Sequence, residues 1–247
     1  MHSLNVTRSQ KGVTLLELLI AVSLVAILST GMLFAMRTSV LAYQKTAQRL
    51  ESNRRAVGIE RILAGQLGGA MAVAQFCPQQ EGPPAITSFL SGNAAVLRLV
   101  SSFSIAAGAR GYPQIVEYRV LPAAGGGVRL VASEQAYTGP QSTALYCTGL
   151  LSADLQPAAL PPPPAGSSSY VLADHLAYCR ISYHQPYDVT TFLETGWVTF
   201  WNRPVLPASL RIEMRESAPV AGGLPRLDIT VPIRVTRDPL TVYGDQF

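Results

Sequence analysis

Glu17 stands in an otherwise apolar stretch, five residues after Gly12 and six after Lys11. A carboxylate in such a stretch costs several kcal/mol unless it is neutralised or paired, so its position asks for a partner. Proteolysis after Gly12 would supply one, by freeing an α-amine on Val13 four residues away, about one helical turn. In a bundle of parallel helices that amine would equally reach Glu17 of the next helix and fix the axial offset between them. The other reading puts Glu17 at headgroup level, where the cost nearly vanishes.

Conventional catalytic groups are sparse. His2, His175 and His184 are the only histidines, and His2 would leave with residues 1–12. Asp174 and His175 adjoin, but neighbours on a strand point to opposite faces, so one metal is not expected to use both. Ser167, Ser168 and Ser169 come without a Gly-x-Ser-x-Gly elbow. No Gly-x-x-x-x-Gly-Lys loop is present for a nucleotide, and no carboxylate cluster suggests calcium. The reading is of no catalytic residue, no metal and no cofactor, with a membrane-tethered enzyme as the remote alternative. The formal charge of +4 falls to +2 once Arg8 and Lys11 go, too weak a bias for a nucleic-acid partner.

The element that positions Glu17 is a long apolar helix. Leu18 to Met36 is 19 residues without a charge, and starting at Val13 makes 24. Such a helix is about 36 Å long and spans a bilayer core of about 30 Å. Arg8 and Lys11 place its N-terminal side in the cytoplasm, against an opposing Arg37, and leave the bulk of the chain outside. An ordinary secretory signal, cut near Ala26 to Ser29, is the competing reading, but the apolar run does not stop where a signal's core should. Beyond Met36 the pattern becomes one-sided: Val40, Tyr43, Ala47, Leu50, Arg54 and Val57, then Ile59, Leu63, Leu67 and Ala70. The spacing predicts one helix from Val13 to Ala70, frayed or kinked around Gly58, Gly65, Gly68 and Gly69, with its outer half covered by a sheet. Arg37, Lys45, Arg49, Glu51, Arg55 and Glu60 on the other face read as solvated surface.

Past Cys77 the period becomes two. Strands are predicted at Val96–Val100, Ile115–Leu121 and Val128–Ala132, the last two joined by a turn at Gly125-Gly126-Gly127. In the middle one Val116, Tyr118 and Val120 share a face opposite Glu117 and Arg119. Pro157, Pro161 to Pro164 and Gly166 to Ser169 mark a surface excursion. Further strands follow at Tyr170–Leu172 resuming at Leu176–Tyr183, at Trp197–Trp201, at Leu210–Arg215 and at Leu227–Val235, where Pro232 argues for an edge or a bulge. The fold class is α+β, a long N-terminal transmembrane helix packed on an antiparallel β domain.

The run Lys11-Gly12-Val13-Thr14-Leu15-Leu16-Glu17-Leu18-Leu19-Ile20-Ala21 resembles the class III signal of type IV pilins and type II secretion pseudopilins. The resemblance implies a prepilin peptidase that cuts after Gly12 and methylates Val13, with Glu17 as the fifth mature residue. Val13 departs from the commonest phenylalanine. From Gly196 onwards Trp197, Trp201, the segment Leu206-Pro207-Ala208-Ser209-Leu210-Arg211-Ile212 and then Leu224-Pro225 are similar to the C-terminal part of J-type minor pseudopilins. That likeness implies a pseudopilin fold and a place at the pseudopilus tip with I-type and K-type partners and the major pseudopilin. A minor pilin of a type IV pilus or competence system would carry the same N-terminal motif. The expected organisation is a leader at 1–12, a transmembrane helix at 13–36, the periplasmic half of the helix at 37–74 and a β-rich periplasmic domain at 75–247, anchored once in the inner membrane.

Export would place Cys77, Cys147 and Cys179 in an oxidising compartment, where two pair and one stays free. The expected pair is Cys147 with Cys179, across 32 residues, tying the Pro-rich excursion to a central strand. Loop closure would make such a link worth about 3–4 kcal/mol.

Overall fold

The computed structural model describes residues 12–77, 84–147, 154, 156, 160–185, 195–217, 223–235, 237, 238 and 240. The leader charges Arg8 and Lys11, and Pro157 of the Pro-rich stretch, lie outside them. The chain divides into two units, residues 1–50 and 51–247.

Helix α1 runs without a break from Leu15 to Gly68, 54 residues with no proline to interrupt the ladder. The helix continues through Gly58 and Gly65. Gly65 serves packing instead: a Cβ at this position would stand 3.0 Å from the ring of Phe103, so the absent side chain lets the aromatic approach the helix. Strand β1 (Ala70–Met71) follows, so the helix ends two residues before the predicted Ala70.

Within the unit 51–247, α1 buries Ala56, Ile59, Leu63, Gln66 and Leu67, one stripe at three- and four-residue spacing. Leu63 and Leu67 are fully buried, and each contributes about 1.5–3 kcal/mol by leaving water. The stripe differs from the expected one at Val57, which is exposed beside the buried Ala56. In the unit 1–50, Val40, Tyr43 and Leu50 are exposed.

The remaining strands are β2 (Ala74–Cys77), β3 (Ala85–Ser88), β4 (Ser91–Gly92), β5 (Val96–Ser104), β6 (Ala109–Pro122), β7 (Val128–Ala136), β8 (Ser168–Gln185), β9 (Gly196–Val198), β10 (Ser209–Glu216) and β11 (Leu227–Pro232). Among the described residues they form an antiparallel sheet in the order β1-β5-β6-β7-β8-β10-β11, with β4 on β5 and β9 on β8, and a separate β2–β3 pair. The two segments expected at 170–172 and 176–183 are one strand, bent by register shifts against β7 and β10. The hairpin between β6 and β7 uses Gly126 and Gly127 at φ 94° and 75°, a region where other residues are strained. β11 stops at Pro232, short of the predicted Val235, and is an edge, as its proline argued.

One sheet face meets α1. Leu97, Leu99, Val116, Tyr118, Ile212 and Met214 supply part of that core. Gln66 is held in it by polar contacts on every side: its amide donates to Glu134 at 2.6 Å and its side-chain oxygen accepts from the Tyr118 hydroxyl. Glu134 accepts as well from the Ile105 N–H at 2.6 Å and the Ser104 hydroxyl at 3.2 Å, so this buried carboxylate is satisfied by neutral donors.

Among the described residues the opposite face is covered over β5 and β6 by the β2–β3 pair, a short 3₁₀ helix at Pro140–Tyr146 and the Pro-rich segment. Phe89 meets Tyr146 edge-on with centroids 5.6 Å apart, and Leu160 packs on Val96. This second cover corrects two expectations. The Pro-rich stretch is more than a surface excursion, because Leu160 is buried and the Pro161 carbonyl accepts from Arg119 at 2.6 Å. The face carrying Glu117 and Arg119 is buried beneath it. The disulfide joins Cys77 to Cys147, not Cys147 to Cys179, and so ties the 3₁₀ helix to the end of β2. Cys179 stays a free thiol against the main core, where its strand position leaves Cys147 on the other side of the sheet.

Candidate functional site

In the unit 1–50 the chemistry suggested by the sequence is concentrated where α1 begins. Gly12, Val13 and Thr14 precede the helix and are exposed. Thr14 starts it: its carbonyl accepts from the Leu18 N–H at 3.2 Å, and its hydroxyl accepts from the Glu17 N–H at 3.3 Å. Thr14 is therefore the N-cap and Glu17 the third helical residue, the Thr-x-x-Glu spacing of a capping box. That signal was present in Thr14-Leu15-Leu16-Glu17 and marks the helix start two residues later than the expected Val13. A carboxylate in the first turn also faces the positive end of the helix dipole, which favours it by about 0.3–1 kcal/mol when exposed.

A side chain at Gly12 would meet nothing within 4 Å, so the fold itself places no steric demand there. Any requirement for glycine must come from an enzyme that grips this backbone.

Every large apolar side chain described from Val13 to Met36 is exposed. The helix is long and apolar enough to cross a bilayer, which suggests a single-pass anchor. Its hydroxyls do not spoil that role. Ser23 donates to the Ile20 carbonyl at 2.9 Å, Thr30 to the Ala26 carbonyl and Thr38 to the Phe34 carbonyl at 2.9 Å, so these three hydroxyls are satisfied inside the helix.

The residues considered for enzymatic chemistry are spread over the β domain. Asp174 and His175 line the same cleft of about 440 Å³, with Arg55, Ile59 and Glu216. The strand is irregular there: the partners of β8 on β7 skip a residue, and His175 has φ 54°. Among the described residues no group of three or more His, Cys, Asp and Glu could hold a metal. His184 packs edge-on against Trp197 at 5.1 Å, Ser167 donates to the Pro164 carbonyl at 2.6 Å, and Ser169 bonds Ser133 at 3.0 Å. The exposed Asp228 carboxyl is held below its ordinary range by hydrogen bonds from Arg211. These groups stabilise turns and strand pairs.

Residues 7–33 match the family described as the prokaryotic N-terminal methylation motif, a window that includes Gly12, Val13 and Glu17. No curated protein matches the chain. Such a motif is the signal that a prepilin peptidase-like enzyme processes. The chain thus carries an N-terminal methylation motif and an apolar N-terminal helix typical of type IV pilin-like proteins, leading into an α+β domain consistent with a pseudopilin-like fold.

Proposed function

We propose that this protein is a minor pseudopilin of the type II secretion system, of J type, and helps form the tip of a periplasmic pseudopilus used to export folded proteins. The observation that carries the reading is continuity: the methylation motif runs without a break into a helix whose far end lies under an antiparallel sheet. The Leu206-Pro207 turn leading into β10 and then β11 adds support for the J type. The Cys77–Cys147 disulfide supports a domain outside the cytoplasm, where thiols oxidise, with the N-terminus inside and the inner membrane between them.

In this reading Gly12 precedes the cut, Val13 becomes the methylated terminus, and Arg8 and Lys11 hold the leader on the cytoplasmic side. Intact-mass analysis of the membrane form should find a chain that starts at Val13 and carries one extra methyl group. A chain starting at Met1, or one starting beyond Ala26, would end the proposal. Glu17 pairs with the processed amine of a neighbouring subunit. Glu17→Ala should therefore insert normally yet drop out of the assembly, which co-purification with the major pseudopilin measures; full retention would refute the pairing.

The partner prediction uses residues 51–247, which contain the buried core from Ala56 onward. Mixed with the soluble parts of the I-type and K-type subunits, this fragment should elute as a ternary complex, because apolar contact in water contributes roughly 25 cal/mol per Å². Helices in lipid have no such driving force. Lack of binding between proteins shown to be folded would favour the other reading, a minor pilin of a type IV pilus or competence system.

A further inference from the structure

We infer that the outer face of β8, β10 and β11 docks an acidic amphipathic helix of a partner protein. The observation behind it is a concentration of arginine. Cys179, Ile181 and Tyr183 of β8 and Leu210, Ile212 and Met214 of β10 pack into the main core. Tyr178, Arg180, Ser182 and His184, with Arg211, Glu213 and Arg215 paired beside them, therefore stand on the other face. The same alternation puts Asp228 of β11 there, and Arg226, just before that strand, reaches Glu213 on it. Four arginines thus share this face with two carboxylates, a formal surplus of two positive charges among the described residues.

Two of the four are held in place. Arg211 Nε donates to Asp228 at 2.7 Å, and its guanidinium lies 3.2 Å from Glu213 and 5.7 Å from the centre of the Trp197 ring. Arg226 comes within 3.7 Å of Glu213. Arg180 and Arg215, by contrast, are exposed and have neither a hydrogen bond nor an ion pair among the described residues. Arg180 pairs with Glu213 and Arg215 with Tyr178, so these two arginines are diagonal neighbours, about 7–8 Å apart. Like charges so placed repel, and carboxylates brought between them reverse the sign. Residues four apart on a helix stand about 5–6 Å apart, close enough for two glutamates to meet both arginines. The planar guanidinium fork then takes each carboxylate through paired hydrogen bonds. At the other end of the face Trp197, 42% exposed, offers an apolar plate. It pairs with His184, six residues along β8 from Tyr178, which makes the face about 20 Å long and matches a helix of about 13 residues. Tryptophan, tyrosine and arginine are the side chains that most often anchor protein interfaces. A nucleic acid fits worse, because Glu213 and Asp228 sit among the arginines and repel a continuous line of phosphates.

The test uses the full chain in detergent micelles and a fluorescein-labelled alanine-based peptide of about 14 residues, with glutamates at i and i+4 and leucines two turns further on. Its anisotropy should rise saturably with the protein and not with empty micelles. A twin peptide with glutamine for glutamate should bind about tenfold more weakly, and Arg180→Glu combined with Arg215→Glu should weaken the glutamate peptide by about the same factor. Equal binding of the two peptides, or binding that survives the double reversal, would overturn the proposal. So would saturable binding of duplex DNA or of phosphatidylglycerol vesicles by a protein that takes neither peptide. Should the reversed protein fail to fold, acrylamide quenching of the unaltered one decides, since acrylamide reaches the exposed Trp197 and not the fully buried Trp201. Protection by the glutamate peptide supports the site, and unchanged quenching removes it.

Discussion

Glu117→Gln is expected to lower the unfolding free energy by about 3–5 kcal/mol, the range for removing one partner of a buried ion cluster. The side chain keeps its size, so the loss comes from charge. Glutamine leaves Arg98 and Arg119 facing each other at 4% and 8% exposure with no carboxylate between them. Its amide would also set donors against donors. Urea denaturation gives the number, with an unchanged slope as the sign that stability alone moved. A companion in which Arg98, Glu117 and Arg119 all become apolar residues of similar volume should recover much of the loss, because the three charges are then removed together. A loss below about 1 kcal/mol in the single variant would mean that water reaches the cluster freely and screens it.

Breaking the Cys77–Cys147 bond should cost about 2–4 kcal/mol. Loop closure across a separation of 70 residues gives about 4–4.5 kcal/mol as an upper figure. Some fastening survives reduction, since the Gln75 amide also donates to the Thr143 carbonyl at 3.1 Å. The effect should be local: in Cys77→Ser, hydrogen exchange should speed up over residues 84–88 and 140–147, while Leu63 and Leu67 of α1 stay protected. Non-reducing peptide maps should recover Cys77 joined to Cys147. Cys179 should not compete for the bond, because burial pushes its thiol up to about 12 and little thiolate exists at neutral pH. A map joining Cys147 to Cys179 would refute the assignment.

Where one face of an element is apolar and the other wet, the sequence pattern was readable. Leu210, Ile212 and Met214 alternate with Arg211, Glu213 and Arg215, and β10 lies where that alternation predicts. The same rule says less at β6, because alternation shows that one face is polar and cannot show what covers it. Glu117 and Arg119 are roofed by segments some thirty residues or more away in the chain. Periodicity has the same blind spot at Val40, Tyr43 and Leu50: it marks a stripe without naming its partner. At Asp174 and His175 the irregular step in β8 was not legible either, since alternation assumes a regular strand. Three cysteines allow three pairings, and spacing alone does not rank them. The N-terminal signal fared better because its chemistry is local. Gly12, Val13, Thr14 and Glu17 need nothing from the rest of the fold to define a cut, a terminus, a cap and a charge.

Strand β11 bears on how such a protein stacks with its neighbours. Ile233 donates to the Ala208 carbonyl, and the register then puts the backbone groups of Asp228, Thr230 and Pro232 on the outward rim of the sheet. Pro232 has no N–H to offer an incoming strand, and Asp228 adds a charge beside that rim. Two copies crowded together on a membrane surface would therefore find this border a poor template for zipping sheet to sheet. Head-to-tail growth through strands has no natural end and runs toward fibres. With that route blunted, lateral order among copies is left to contacts that can be made and undone.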